Sequence, residues 1–226
     1  VAFYDVPNDN AAFNGAYEVE VAGNRAYLGA QDLLILDVTH PTTPTLLGSA
    51  EPGSSNFDLS GNYLYYETQG CSGRCSAVEI LDVSDPTSPQ MTANPIGVWG
   101  GVYDIEAAGD YLYIATGEWY NEGGGGLHIF NLTNPESPQQ VGSYEQYALT
   151  AVAVQGNYAY TGVGSVNVLD ISNASAPERV SAPHLTASWI REIAVQGDLI
   201  YAVTADGGLY ILRHASAVLY LPLVSR

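Results

Sequence analysis

Leu34-Ile35-Leu36-Asp37-Val38-Thr39, followed by Pro41 and Pro44, is a phrase that this chain writes repeatedly. It returns as Glu79-Ile80-Leu81-Asp82-Val83-Ser84 with Pro86 and Pro89, and as His128-Ile129-Phe130-Asn131-Leu132-Thr133 with Pro135 and Pro138. A fourth copy, Asn167-Val168-Leu169-Asp170-Ile171-Ser172, keeps Pro177 alone, and a fifth, Leu209-Tyr210-Ile211-Leu212-Arg213, has lost its turn. From Asp37 to Asp82, Asn131, Asp170 and Arg213 the steps are 45, 49, 39 and 43 residues. That is the period of a four-stranded propeller blade, so the chain is an array.

A second phrase precedes each run: a short apolar strand, a Gly with Asn or Asp, then a Tyr-rich strand. Its turns are Gly23-Asn24, Gly61-Asn62, Gly109-Asp110, Gly156-Asn157 and Gly197-Asp198. Such pairs between apolar runs signal hairpins, because both residue types tolerate the positive φ that tight turns need. Each unit then supplies strand A, a tight turn, strand B, a variable loop, strand C, the proline turn and strand D. No window carries sustained helical periodicity, so almost no helix is expected.

Taken together, the two phrases resemble the LVIVD repeat, a family of exported bacterial and archaeal β-propellers named for strand C. The resemblance covers about residues 16–213. It implies an all-β, five-bladed β-propeller of four-stranded antiparallel blades at the cell surface, and implies no particular chemistry. The expected repeats are about 16–50, 51–98, 99–144, 145–185 and 186–224, within one domain over 1–226. Residues 1–15 are expected to close a blade or pair with a neighbour. Asn131 and Arg213 depart from the acidic position, and Ala174 stands where the first proline belongs.

The recurrence has a plain physical reading. Asp37 and its equivalents are suited to accept the backbone N–H two residues on, while the prolines fix φ and end the ladder. These acids are therefore turn formers. Tyr and branched residues suit sheet faces covered on both sides.

The net charge is -18, and all six basic residues are Arg (Arg25, Arg74, Arg179, Arg191, Arg213, Arg226). Nucleic-acid binding needs a basic stripe, and none exists here. No stretch approaches the unbroken apolar length of a membrane span, and the residues from Val1 onward carry no charged-then-apolar leader. Cys71 and Cys75 share one Gly-rich loop without a second pair of metal ligands, which favours a small loop-closing disulfide worth about 2 kcal/mol. That in turn favours an oxidising, extracellular setting. Sequons at Asn131 and Asn173 are candidate glycan sites in a host that performs the modification.

In a propeller the A–B and C–D turns share one face, and the loops where these copies differ share the other. The variable loops hold the cysteines, Gly117-Glu118-Trp119-Tyr120-Asn121-Glu122 with four glycines, Trp99 and Trp189. Variable loops on a rigid scaffold are the usual place for binding, so Trp99, Trp119, Tyr120 and Trp189 are the candidate contact residues. Aligned on the Gly turn, strand A places Glu18, Asp104 and Glu192 at one position near the expected channel. Clustered carboxylates repel unless protonated, hydrated or bridged, and Ca²⁺ would suit them. The competing reading leaves them solvated or capping local backbone.

Catalysis finds little support. His40, His128, His184 and His214 occupy unrelated positions, and no Gly-x-Ser-x-Gly elbow occurs. Glu118 and Glu122 make a carboxylate pair of the glycosidase kind, but without supporting groups. No cofactor is expected. The outer strand of the last blade has two claimants, Val218–Val224 and Ala2–Val6. A spare strand beside an open edge invites donation between molecules and a filament, whereas closure within one chain leaves a monomer. The sequence thus predicts a non-enzymatic structural or interaction protein of the cell surface, self-assembling through its terminal strands. The alternative is a monomeric module binding carbohydrate or protein through its aromatic loop face.

Overall fold

The computed structural model describes residues 16–30, 32–51, 56–71, 75–92, 94–117, 125–182 and 189–214; side chains are described for these except 69–71 and 75. The described residues contain strands and turns and no helix. Five antiparallel sheets follow one another along the chain, each in simple meander order, the architecture of a five-bladed β-propeller.

The first sheet is β1 (Glu18–Ala22), β2 (Arg25–Gly29), β3 (Leu33–Asp37) and β4 (Thr45–Ala50). The second is β5 (Phe57–Ser60), β6 (Tyr63–Cys71), β7 (Cys75–Asp82) and β8 (Gln90–Met91), with β9 (Ile96–Trp99) also paired to β7. Strand D of this repeat is therefore split. Pro95 falls in the gap, where it has no N–H to offer the ladder.

The third sheet is β10 (Gly101–Ala108), β11 (Tyr111–Gly117), β12 (Gly126–Asn131) and β13 (Gln139–Glu145). The fourth is β14 (Ala151–Gln155), β15 (Tyr158–Gly162), β16 (Val166–Asp170) and β17 (Glu178–Ser181). In the fifth, β18 (Ile190–Gln196), β19 (Leu199–Thr204) and β20 (Leu209–Arg213) are the strands among the described residues. Both claimants for its outer strand, near the two termini, lie outside them.

The repeats are alike in atomic detail. Gly23, Gly61, Gly109 and Gly156 each hold φ at 61°, and Gly197 at 64°, the left-handed conformation the A–B hairpin requires. After strand C, the N–H groups of Val38, Val83, Leu132 and Ile171 donate to Asn24, Asn62, Asp110 and Asn157 carbonyls, all at 2.8 Å. The C–D ladder carries a bulge at one equivalent place in three repeats, at Ile35/Leu36, Ile129/Phe130 and Val168/Leu169. A bulge there bends strand D and sharpens the local twist.

The described chain forms two compact bodies. The first holds the sheets of the first two repeats with residues 135–137; the second holds those of the last three. In the first, Tyr27, Ile35, Phe57, Leu64, Tyr66 and Leu81 make one apolar cluster. In the second, one cluster joins the third and fourth sheets through Tyr113, Ile129, Leu149 and Leu169. Another joins the fourth and fifth through Tyr160, Val168, Ile193 and Leu212. Each buried Leu or Ile contributes about 1.5–3 kcal/mol relative to exposure. Alternation along each strand sends one set of side chains to each sheet face, and within each body the facing sets of neighbouring sheets pack together.

Candidate functional site

At the turn end of each sheet the acids behave as turn formers. The Oδ1 atoms of Asp37, Asp82, Asn131 and Asp170 accept the N–H of Thr39, Ser84, Thr133 and Ser172 at 2.7, 2.8, 2.7 and 2.9 Å. Hydrogen bonds to these Thr and Ser residues hold the carboxyls of Asp37 and Asp170 below the usual range. Asp85 forms a second such turn with Thr87 and is lowered likewise. Asn131, the departure from the acidic position, makes the same bond as its neighbours because an amide oxygen accepts as well as a carboxylate.

Of the two sequons, Asn173 is exposed and its Oδ1 accepts from both the N–H and hydroxyl of Ser175, at 3.2 and 2.8 Å. Asn131 is half-buried and already committed to the Thr133 N–H.

At the leading end, where strand A begins, two of the three candidate metal ligands serve the backbone. In the first body Glu18 Oε2 accepts the N–H of Phe57 at 3.2 Å. In the second, Asp104 Oδ2 accepts the N–H of Val152 at 2.7 Å, while its Oδ1 takes that of Ile105 at 2.9 Å. Glu18 and Asp104 are equivalent, as are Phe57 and Val152, so one carboxylate links the first sheet to the second and another the third to the fourth. Glu192, third of the set, is exposed on β18, yet desolvation around its carboxyl still raises its pKa. Among the described residues no group of three His, Cys, Asp or Glu side chains is placed to hold a metal ion. The described contacts of Glu18 and Asp104 are thus with backbone N–H groups, the capping role weighed against Ca²⁺ in the sequence.

Sequence reasoning missed Glu67. It ends the described apolar face of β6, where its Oε2 accepts from Asn56 Nδ2 at 3.1 Å and its Oε1 from Ser76 Oγ at 3.3 Å. Burial outweighs these two donors and raises its pKa. The signal was available: a lone acid follows the Tyr63-Leu64-Tyr65-Tyr66 run.

The aromatic candidates divide. Trp99 and Trp189 are 69% and 58% exposed, large apolar side chains standing in solvent. Trp99 closes β9 instead of lying in a loop, and the Trp189 carbonyl is fixed by the Ala205 N–H at 2.8 Å. Trp119 and Tyr120 lie outside the described residues, as do Glu118 and Glu122. The backbone places Cys71 at the end of β6 and Cys75 at the start of β7; their side chains, and so their pairing, fall outside what is described.

Two further aromatics belong with the tryptophans. Tyr147 is 64% exposed and Tyr103 43%. Tyr103 lies against the bare Cα of Gly117: a Cβ added there would stand 2.6 Å from its ring. Gly117 in turn bridges Ala148, next to Tyr147. Thr150 Oγ1 donates to the Ile190 carbonyl at 2.6 Å, tying the start of the fourth sheet to that of the fifth beside Trp189. In the second body the leading ends of three successive sheets therefore present Trp99 and Tyr103, then Tyr147, then Trp189. In the first body Tyr17, 57% exposed, stands one residue before β1.

Comparison with known proteins bears on this arrangement. The LVIVD repeat family matches over residues 15–51, 77–94, 99–146 and 150–182, which together span more than half of the chain. No curated protein matches. Among solved structures, the crystal structure of the computationally designed Ika8 protein is similar with a TM-score of 0.54 at 13% identity. The match covers 86% of this chain and 70% of that one. At that identity the likeness speaks for the fold alone.

Proposed function

This chain belongs to the LVIVD repeat family, a repeat-based binding or structural module, and from that premise we propose that it is a non-enzymatic protein-interaction module working outside the cytoplasm. Its contact surface is the leading end of the sheets. One observation carries the reading: Trp99, Tyr103, Tyr147 and Trp189 stand solvent-exposed on a backbone that hydrogen bonds hold rigid. Trp and Tyr dominate the energetics of protein interfaces, because each removes a large apolar surface from water at little conformational cost. The extracytoplasmic setting rests on the Cys71/Cys75 spacing and on an acidic surface without lysine.

The test compares wild-type protein with a Trp99→Ala, Trp189→Ala double variant. Partners are captured by crosslinking at the cell surface, and self-association is followed by light scattering across concentration. The variant is expected to melt with the wild type, because exposed substitutions change stability by less than about 0.5 kcal/mol. It is also expected to lose the captured partner, or the higher oligomer if the partner is a second copy. Identical capture by both proteins defeats the proposal. Loss of glycan retention with protein capture unchanged would reassign the face to carbohydrate.

A further inference from the structure

Three repeats open strand B with a pair of tyrosines: Tyr63 and Tyr65, Tyr111 and Tyr113, Tyr158 and Tyr160. Two of these pairs are closed off by protein. Tyr63 donates to Glu136 Oε1 at 3.0 Å, and Tyr65 donates to the Pro135 carbonyl at 3.2 Å. The Tyr160 hydroxyl meets His214 Nδ1 at 2.7 Å, and the imidazole stands edge-on to Tyr158 with ring centroids 4.5 Å apart.

The middle pair has no such plug. Counted from the strand C acid position, the equivalents of Pro135 and Glu136 are Ala174 and Ser175; the Ala174 carbonyl faces the Cα of Gly142, and Ser175 brings no carboxylate, its hydroxyl donating to Asn173 Oδ1 at 2.8 Å. A cavity of about 400 Å³ remains between the third and fourth sheets, lined by Asp110, Tyr111, Tyr113, Asn157, Ile171 and Ser172 among others. Among the described residues neither tyrosine hydroxyl there has a hydrogen-bond partner. It lies at the turn end, away from the aromatic contact surface.

The lining states what would fit. Its volume is at the small end of ligand pockets, which run from about 300 to 1,000 Å³. No basic side chain lines it, so an anion would find no counter-charge. Tyr113 is only 3% exposed, so it offers a hydroxyl and no ring face, which leaves an organic cation without a two-sided aromatic cage. Desolvation pushes the Tyr113 hydroxyl up to about 12, so it remains a proton donor at any ordinary pH. The half-buried Tyr111 ring provides one apolar wall. The Asp110 carboxylate and Asn157 amide provide acceptors, and the tyrosine and Ser172 hydroxyls both donate and accept. A neutral pyranose has this mixed character, with a C–H face and a rim of hydroxyls. We propose that the cavity between the third and fourth sheets binds one neutral sugar ring.

The experiment is saturation-transfer NMR with the methyl glycosides of glucose, galactose, mannose and N-acetylglucosamine, with choline as the cationic probe. Wild-type protein is expected to receive transfer from at least one glycoside and none from choline. An Ala174→Pro, Ser175→Glu variant rebuilds the plug of the neighbouring repeat and is expected to abolish the signal. Asp110→Asn copies the turn residue of Asn62 and Asn157 and so preserves the fold. It is expected to weaken binding about tenfold through loss of a charge-assisted hydrogen bond. The Trp99→Ala, Trp189→Ala variant is expected to bind the glycoside as the wild type does. No glycoside bound by wild type, transfer from choline instead, undiminished binding in the plugged variant, or unchanged affinity in Asp110→Asn would each overturn the assignment. Loss in the tryptophan variant would move the sugar to the other end.

Discussion

At the turn end of the sheets four repeats make one hydrogen bond, residue for residue, at 2.7 to 2.9 Å. At the leading end backbone contacts recur, as in Tyr17 to Gly29 and Thr150 to Gly162, but the side chains differ from repeat to repeat. The carboxylate link of Glu18 to Phe57 and of Asp104 to Val152 occurs twice, and the fourth repeat, with Ala151 at that position, lacks the acid. Function has room only where the fold makes no demand. The turn end sets hairpin geometry and sheet spacing, so its residues are fixed by backbone needs. The leading end is set from below by the strands, and its side chains are free to be Trp, Tyr, Glu or Thr. The cavity between the third and fourth sheets fits the same logic, because the turn beside it has Ser175 where the preceding repeat has Glu136.

The contrast is open to attack in order of size. Gly142 of β13 packs its Cα directly on the Ala174 carbonyl of the following turn, leaving no space for a Cβ. Gly142→Ala is therefore expected to cost about 2–3 kcal/mol in urea denaturation, as overpacking of a rigid contact does. A cost below that of an ordinary surface substitution would show that the turn end yields more easily than its regularity suggests. Asn131→Ala removes the Thr133 N–H acceptor and is expected to cost about 1 kcal/mol, read in the same way.

The smallest effect separates the two ends by pH. Asp37, Asp85 and Asp170 have folded values lowered by their Thr and Ser partners. Their contribution is complete above the unfolded carboxylate value and is lost as pH falls through the lowered folded values. Glu67 has the opposite sign. Its folded value is raised by burial, so its contribution is complete below the unfolded value and is lost as pH rises through the raised one. Glu67→Gln is thus expected to raise the melting temperature at neutral pH, with the gain shrinking on acidification. Asp170→Asn is expected to flatten the acid limb instead. Equal shifts of both variants at every pH would erase the distinction.

How much of this was legible in the sequence follows from the same contrast. The sheets, hairpin glycines and Asx-turns were readable because each repeats, and repetition turns a weak local preference into a strong one. The glycine that approaches a neighbouring turn was invisible, since Gly142 and Ala174 are 32 residues apart and neither is unusual in its own strand. The acids of strand A were read as a set because they align. Alignment reveals equivalence and not distance, so it left a cation site and backbone caps as competing readings, and only placed N–H groups show the capping at Glu18 and Asp104. Glu67 and the exposed pair Tyr103 and Tyr147 occur once each, and a single residue among 17 tyrosines or 24 acids carries no mark of its surroundings. The split of the second outer strand was written in Pro95, but the ladder it interrupts becomes visible only once β7 is placed.

The glycine and the turn that covers it, Gly48 with Pro86 and Gly142 with Ala174, belong to different sequence repeats. A protein engineer who cut between repeats would sever each such partnership and hand every module a foreign neighbour. The exchangeable cassette in this chain is therefore offset from the written one: it begins on strand D of one copy and finishes after the proline turn of the next. Chimeras spliced on that frame should keep their joints, and lengthening or shortening the array becomes a matter of choosing the right seam.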